Sequence, residues 1–192
     1  KKVAVITGAS SGIGRATAER FAKEGYALAV LARRKELLDE LVKEVGQNIK
    51  AYACDISKWD QVEKAFIEIE KDYGKINVLV NNAGGVKRNC EFDQLDDETR
   101  RWEIALNIDG VVNCIQAVAS DMLGRGKGSV VNISSNSSLL GEAAQQVVHY
   151  GSTKGFVNSL SKTLAYEWGP KGVRVNTIAP GWIVPLRGNR SN

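Results

Sequence analysis

The sequence predicts an α/β fold in three layers, a doubly wound parallel sheet with helices on both faces. Short apolar runs alternate with longer stretches of helical periodicity along the chain, the pattern of repeated strand–helix–strand units. Those runs are nearly all apolar rather than alternating, as strands covered on both faces must be. Glycines stand directly after three of the helical stretches. With 192 residues, 43% apolar and 25% charged, the composition is that of an ordinary globular chain, and the length favours one domain over residues 1–192.

The first run, VAVIT at 3–7, gives a strand, and a glycine-rich turn then opens a helix over 12–24 that Gly25 closes. ALAVL at 27–31 gives the second strand, followed by a helix over 35–45 ending at Gly46. The third strand is IKAYA at 49–53; Ser57 stands where an N-cap would open a helix over 58–73, which Gly74 closes. VLVN at 78–81, one long helix over 97–124, a strand at 128–134, a helix over 150–168 and a strand at 174–178 complete the order. Right-handed crossovers wind such a sheet in both directions, with a ligand crevice at the carboxyl ends of the strands where the order reverses.

A formal charge of +4 without a concentrated basic stripe excludes nucleic acid as an expected partner and leaves cations for local anion sites. Three cysteines, Cys54, Cys90 and Cys114, and the single His149 have no metal-ligand spacing, so a reducing compartment and no metal are expected. No apolar run has the length of a signal core or a membrane span, which points to a cytoplasmic chain with no membrane partner. The sequence begins at Lys1 without a methionine, and a few residues are expected to precede it.

Thr7 to Gly14 read TGASSGIG. Gly8 allows the sharp turn, Gly12 lets backbone approach a ligand, Gly14 lets helix and strand pack closely, and the helix N-terminus offers N–H groups to a pyrophosphate. The spacing is not the general G-x-G-x-x-G, and alone it also fits a tight strand–helix connection, a reading weakened by the strand before it and the helix after it. At the end of the second strand stand Arg33 and Arg34 with no carboxylate. A ribose 2′-hydroxyl calls for an acid there and a 2′-phosphate for cationic forks, so NADP(H) is preferred, with NAD(H) the other option. Arg15 is a weaker candidate.

TGASSGIG resembles the TGxxxGIG motif of the short-chain dehydrogenase/reductase family, and the likeness recurs in order. NNAG lies at 81–84, Asn107 in ALNIDG, Ser134 and Ser135 at the end of the fifth strand, Tyr150 and Lys154 in YGSTK, and NTIAPG at 176–181. The resemblance implies a Rossmann-like nucleotide-binding domain of an oxidoreductase. Its implied cofactor contacts are Gly8, Ser10, Ser11, Gly12, Ile13 and Gly14; Asp55, towards the adenine, and Ile56; Asn82, Ala83 and Gly84; Tyr150 and Lys154; and Pro180, Gly181 and Ile183.

Tyr150 and Lys154 are four apart on a helix and share a face. A free tyrosine is phenolate in only about one molecule in a thousand at pH 7, so a proton relay requires its pKa to be lowered, with Lys154 and an oxidised nicotinamide as sources. The family likeness makes Asn107, Ser135, Tyr150 and Lys154 the catalytic set. Tyr150 exchanges the proton, a serine holds the substrate oxygen, and Asn107 supports the lysine through water. The interval from Ser135 to Tyr150 is two residues longer than the family's commonest spacing, and counting back at that spacing gives Ser137. Ser135 is preferred because a strand end fixes position better than a loop; Ser134, Ser137 and Ser138 are read as loop hydroxyls. Adjacent helical residues point about 100° apart, so His149 does not share the face of Tyr150 and Lys154.

Substrate walls are expected from 86–92, 137–148 and beyond Gly181, including Leu139, Glu142, Gln145, Gln146 and Trp182, a mixture that specifies only a small-molecule carbonyl or alcohol. The family continues past this point with a substrate-covering segment, a final helix and a seventh strand. Six strands are therefore expected here, with the seventh strand and the C-terminal segment missing, either through truncation or because mobile loops are omitted with a join near Val184. Pro185 stands where the family often has a threonine near the nicotinamide carboxamide. Apolar residues surround the stretches 109–123 and 150–168, which points to a homodimer or homotetramer. The leading reading is an NADPH-dependent carbonyl reductase or alcohol dehydrogenase; the alternative is a nucleotide-binding, non-catalytic or regulatory member.

Overall fold

The computed structural model describes residues 1–141 and 146–183. Six strands, β1 Val3–Thr7, β2 Ala27–Ala32, β3 Ile49–Ala53, β4 Ile76–Asn81, β5 Gly128–Ile133 and β6 Val173–Ile178, form one sheet in the order β3-β2-β1-β4-β5-β6. All neighbours are parallel, with Val5 opposite Ala29 and Leu79, and Val80 opposite Val131. The chain winds outward from β1 through β3, returns, and winds the other way from β4. The order therefore reverses between β1 and β4, and their carboxyl ends part there.

The helices are α1 Gly12–Lys23, α2 Lys35–Val45, α3 Trp59–Tyr73, α4 Asp97–Ile104, α5 Gly110–Arg125 and α6 Val148–Trp168. Alternation along each strand sorts the core into two layers. Val3, Val5, Ala29 and Leu31 pack with Phe66 and Ile69 of α3, Val111, Ile115 and Met122 of α5, and Val157 of α6. Ala4, Ile6, Leu28 and Val30 turn to the opposite face and pack with Ala18 of α1 and Leu38 and Leu41 of α2. Full burial of one such Leu or Ile side chain contributes roughly 1.5–3 kcal/mol.

Three expectations change. The helix expected over 97–124 is interrupted by a π-helical segment, Ala105–Asp109, between α4 and α5. The N-cap of α3 is Lys58, not Ser57. The Ser57 N–H and hydroxyl both donate to Asp55 Oδ1, at 3.0 and 2.8 Å, a local turn that competes with capping. The edge strands β3 and β6, expected to be covered on both faces, leave some of their residues exposed. The remaining differences are strand and helix ends one or two residues longer or shorter than expected; β4, for example, begins at Ile76 because that buried residue pairs with Val3. Among the described residues no helix is long and apolar enough to cross a membrane.

Candidate active site

Where β1 and β4 part, a cleft of about 450 Å³ runs along the carboxyl ends of the strands. At one end it is lined by Gly8, Ser10, Ser11 and Ile13 after β1 and by Arg33 and Arg34 after β2. Gly8 has φ +66°, and a Cβ there would stand 2.7 Å from Ala83 Cα, so both conformation and space require glycine. A Cβ on Gly14 would lie 2.4 Å from the Gly8 carbonyl oxygen, which is how closely α1 approaches the turn. The N-cap of α1, Ser11, makes no side-chain cap, and the first turn holds no acid. The positive end of α1 is therefore available to an anion.

The turn is locked to the β4 end by Thr7 and Asn82. The Thr7 hydroxyl accepts the Asn82 and Ala83 N–H groups at 3.0 Å each, and the Asn82 side-chain amide donates to the Thr7 and Gly8 carbonyls at 3.0 and 3.2 Å. Asn82 lines the cleft, but its amide is committed to the Gly8 turn. Arg34 Nη2 donates to Ser10 Oγ at 3.4 Å, and Arg33 stands exposed at the rim. Asp55 and Ile56 line the middle of the cleft, where Asn113 of α5 donates to the Ile56 carbonyl at 2.9 Å. Gly12, expected to let a ligand approach, and Gly14 do not line the cleft. Neither does Arg15, which pairs instead with Glu44 at 2.6 Å and with Glu19.

At the other end the cleft is lined by Gly84, Ser134, Ser135, Tyr150, Lys154, Pro180, Gly181 and Ile183. Tyr150 rides on the first turn of α6, and Lys154 follows one turn later, its Nζ 5.8 Å from the centre of the Tyr150 ring. Lys154 is buried and donates from Nζ to the Ile133 carbonyl at 2.9 Å; burial brings its pKa down to about 8. Asn107 lies in the π-helical segment, fully buried, and exchanges two hydrogen bonds with the backbone of Gly85, at 2.9 and 3.0 Å. A Cβ on Gly84 would stand 2.8 Å from Lys154 Nζ and 2.9 Å from Asn107 Oδ1, so both side chains come up against the Gly84 backbone.

Of the candidate serines, Ser135 is the one whose hydroxyl acts on that of Tyr150. Its Oγ also accepts the Ser137 N–H at 3.2 Å and donates to Ser137 Oγ at 3.1 Å, so the two hydroxyls are neighbours. Ser134 lies just past the end of β5. It is buried and donates to the Lys154 carbonyl at 3.1 Å, tying the end of β5 to α6. The expected lowering of the Tyr150 pKa is not supplied by the protein's own groups. Burial raises it above the ordinary value, Ser135 opposes this, and the charge of Glu103 adds to it.

Sequence reasoning missed Thr7's bonding role, Asn113 and Glu103, whose partners lie far away in the chain and leave no local signal. Leu31, Ala32, Cys54, Leu106 and Ile133 also line the cleft unannounced. Of the expected substrate walls, Phe92, Gln146 and Val148 line a small cavity beside Tyr150, while Leu139 and Trp182 are exposed. Glu142, Gln145, Val184 and Pro185 lie outside the described residues. Among the described residues no group of three His, Cys, Asp or Glu side chains is placed to hold a metal ion.

The family model for short chain dehydrogenases matches residues 2–188. The chain is 38% identical over 189 residues to the 3-oxoacyl-[acyl-carrier-protein] reductase FabG of Staphylococcus epidermidis, covering 95% of this chain and 75% of that one. Among solved structures it is similar to ElxO with NADP bound, at a TM-score of 0.90 and 32% identity, covering 97% of this chain and 75% of that one. It also resembles the 3-ketoacyl-(acyl-carrier-protein) reductase of Brucella melitensis complexed with NADH, at a TM-score of 0.87 and 32% identity, covering 94% and 75%.

Proposed function

Because the chain belongs to the short-chain dehydrogenase family of oxidoreductases, we propose that it moves hydride between NADP(H) and a small-molecule carbonyl or secondary alcohol, with Tyr150 exchanging the proton. The observation that carries this reading is the single cleft with two arginines at one end and Tyr150, Ser135 and Lys154 at the other. The donor set suits a dinucleotide phosphate. The uncompensated N-terminus of α1 and the Gly8 turn would hold the pyrophosphate, and Arg33 and Arg34 the 2′-phosphate.

The bound cofactor supplies or accepts the hydride. The chain's own residues handle the proton. A phenol kept protonated by burial is suited to donate to a carbonyl oxygen in reduction, and Ser135 is placed to hold that oxygen beside it. Lys154 presents a cation near the ring when the phenolate forms, and Asn107 keeps the Gly85 backbone in place beside the lysine. The exposed Phe156 and Tyr166 on α6 support a homodimer or homotetramer, and the free Cys54, Cys90 and Cys114 support a cytoplasmic location.

NADPH oxidation across a carbonyl panel that includes 3-oxoacyl thioesters tests this. Turnover is expected with at least one class, falling by about 10²- to 10⁴-fold in Tyr150→Phe with cofactor binding retained. Cofactor binding without turnover on any carbonyl or alcohol would replace this reading with a non-catalytic nucleotide-binding protein.

A further inference from the structure

Beside Tyr150 lies a second, small cavity whose lining includes Arg88, Phe92, Glu103, Gln146 and His149. Glu103, from α4, is 1% exposed. A carboxylate this deeply buried is costly unless it is paired. Its Oε1 accepts the Lys87 N–H at 3.0 Å, and its Oε2 lies 2.8 Å from His149 Nδ1. The neighbouring charges are committed elsewhere: Lys87 Nζ to Glu98, Arg88 to Asp96 at 3.2 Å, Glu91 to the Gln146 amide at 2.8 Å, and Lys154 to Ile133.

The first turn of α6 needs such a tie. Its N-cap, Val147, makes no side-chain cap, and the turn holds no acid. Gln146 before it has φ +52° and is held by the Cys90 N–H, which donates to its carbonyl at 3.0 Å. Tyr150 therefore stands on a helix end whose placement depends on contacts with other elements.

We propose that Glu103 and His149 are positioning residues for the proton transfer at Tyr150: the carboxylate clamps the first turn of α6, through the imidazole, to the backbone at Lys87 and so fixes the phenol beside Ser135. The proposal rests on the reading of Tyr150 as the proton-exchanging group. Consecutive helical residues point about 100° apart, so an imidazole drawn to α4 sets the rotation of the turn that presents Tyr150 on its other side. The same carboxylate favours the protonated phenol, the form that donates.

The test compares His149→Phe, His149→Asn, Glu103→Gln and Tyr150→Phe. With a carbonyl from the panel and saturating NADPH, His149→Phe is expected to lower kcat by about 10- to 100-fold with KM and NADPH affinity changed less than about 3-fold. His149→Asn, whose amide nitrogen takes the place of Nδ1 and can still donate to Glu103, is expected to recover most of the loss. A kcat within about 3-fold of wild type in His149→Phe, or equal losses in the Phe and Asn variants, overturns the proposal. Full turnover in Tyr150→Phe instead overturns the reading beneath it.

A readout without turnover runs in parallel. The phenolate absorbance difference between each protein and its Tyr150→Phe counterpart titrates Tyr150 alone. Glu103→Gln is expected to move that midpoint down in pH; an unmoved midpoint in a folded variant overturns the proposal.

Discussion

Lys154 donates from Nζ to the Ile133 carbonyl at 2.9 Å, a contact in which a side chain of α6 reaches the last residue of β5 and leaves water almost entirely. Its pKa falls to about 8 against an ordinary 10.5, so between those values the unfolded chain binds more protons than the folded one. Stability contributed at this position therefore rises as pH climbs from about 8 towards 10.5, and the full cost of the buried charge is present below 8. Lys154→Met keeps the bulk and removes the charge. Thermal melts at pH 7 are expected to show Tm raised by roughly 2–4 °C while turnover is lost; a lower Tm would mean that the carbonyl bond outweighs the burial cost.

Arg33 stands exposed at the rim of the cleft with no hydrogen bond among the described residues, whereas Arg34 is tied to Ser10. Fluorescence titration of Arg33→Ala should show NADPH binding weakened by about 1.5 to 3 kcal/mol, the value of a charge-assisted phosphate contact, with NADH little changed. Equal losses for both cofactors would remove the 2′-phosphate from this position.

Ser135 Oγ donates to Ser137 Oγ at 3.1 Å, and of the two it is Ser135 that lines the cleft with Tyr150. Ser135→Ala is expected to reduce kcat by about 10²-fold or more, and Ser137→Ala by less than about 5-fold. The opposite ranking would move the substrate-holding hydroxyl two residues along the chain.

Gly84 admits no side chain without moving Lys154 or Asn107, and both are pinned by hydrogen bonds. Gly84→Ala should destabilise the fold by about 1–3 kcal/mol in urea melts. It should also lower kcat by about 10- to 100-fold by displacing the lysine. Wild-type kcat in this variant would show that the lysine tolerates displacement.

The strands were legible in the sequence because burial on both faces writes itself as uninterrupted apolar runs, as in β1 and β2, every residue of which up to Leu31 is buried. The motif residues were legible because a glycine turn or a Tyr–Lys pair four apart is local. What escaped was set by partners far along the chain. Thr7 meets Ala83 across 76 positions, and Glu103 meets His149 across 46. The upward push on the Tyr150 pKa escaped for the same reason: the burial and the carboxylate that raise it come from elements the local sequence does not mention. Ser57 failed as a cap because Asp55, two residues earlier, outcompeted the helix for its N–H and hydroxyl.

The π-helical turn at Ala105–Asp109 sits between two α-helices and carries Asn107. Such a turn absorbs one residue more than regular α-helix, so the helices on either side keep the phase of an uninterrupted helix one residue shorter. Deleting a single residue there would leave Glu103 and the apolar face of α5 in their present angular relation. What it would remove is the wide turn from which Asn107 reaches the Gly85 backbone, so the extra residue serves the asparagine and not the faces of the two helices.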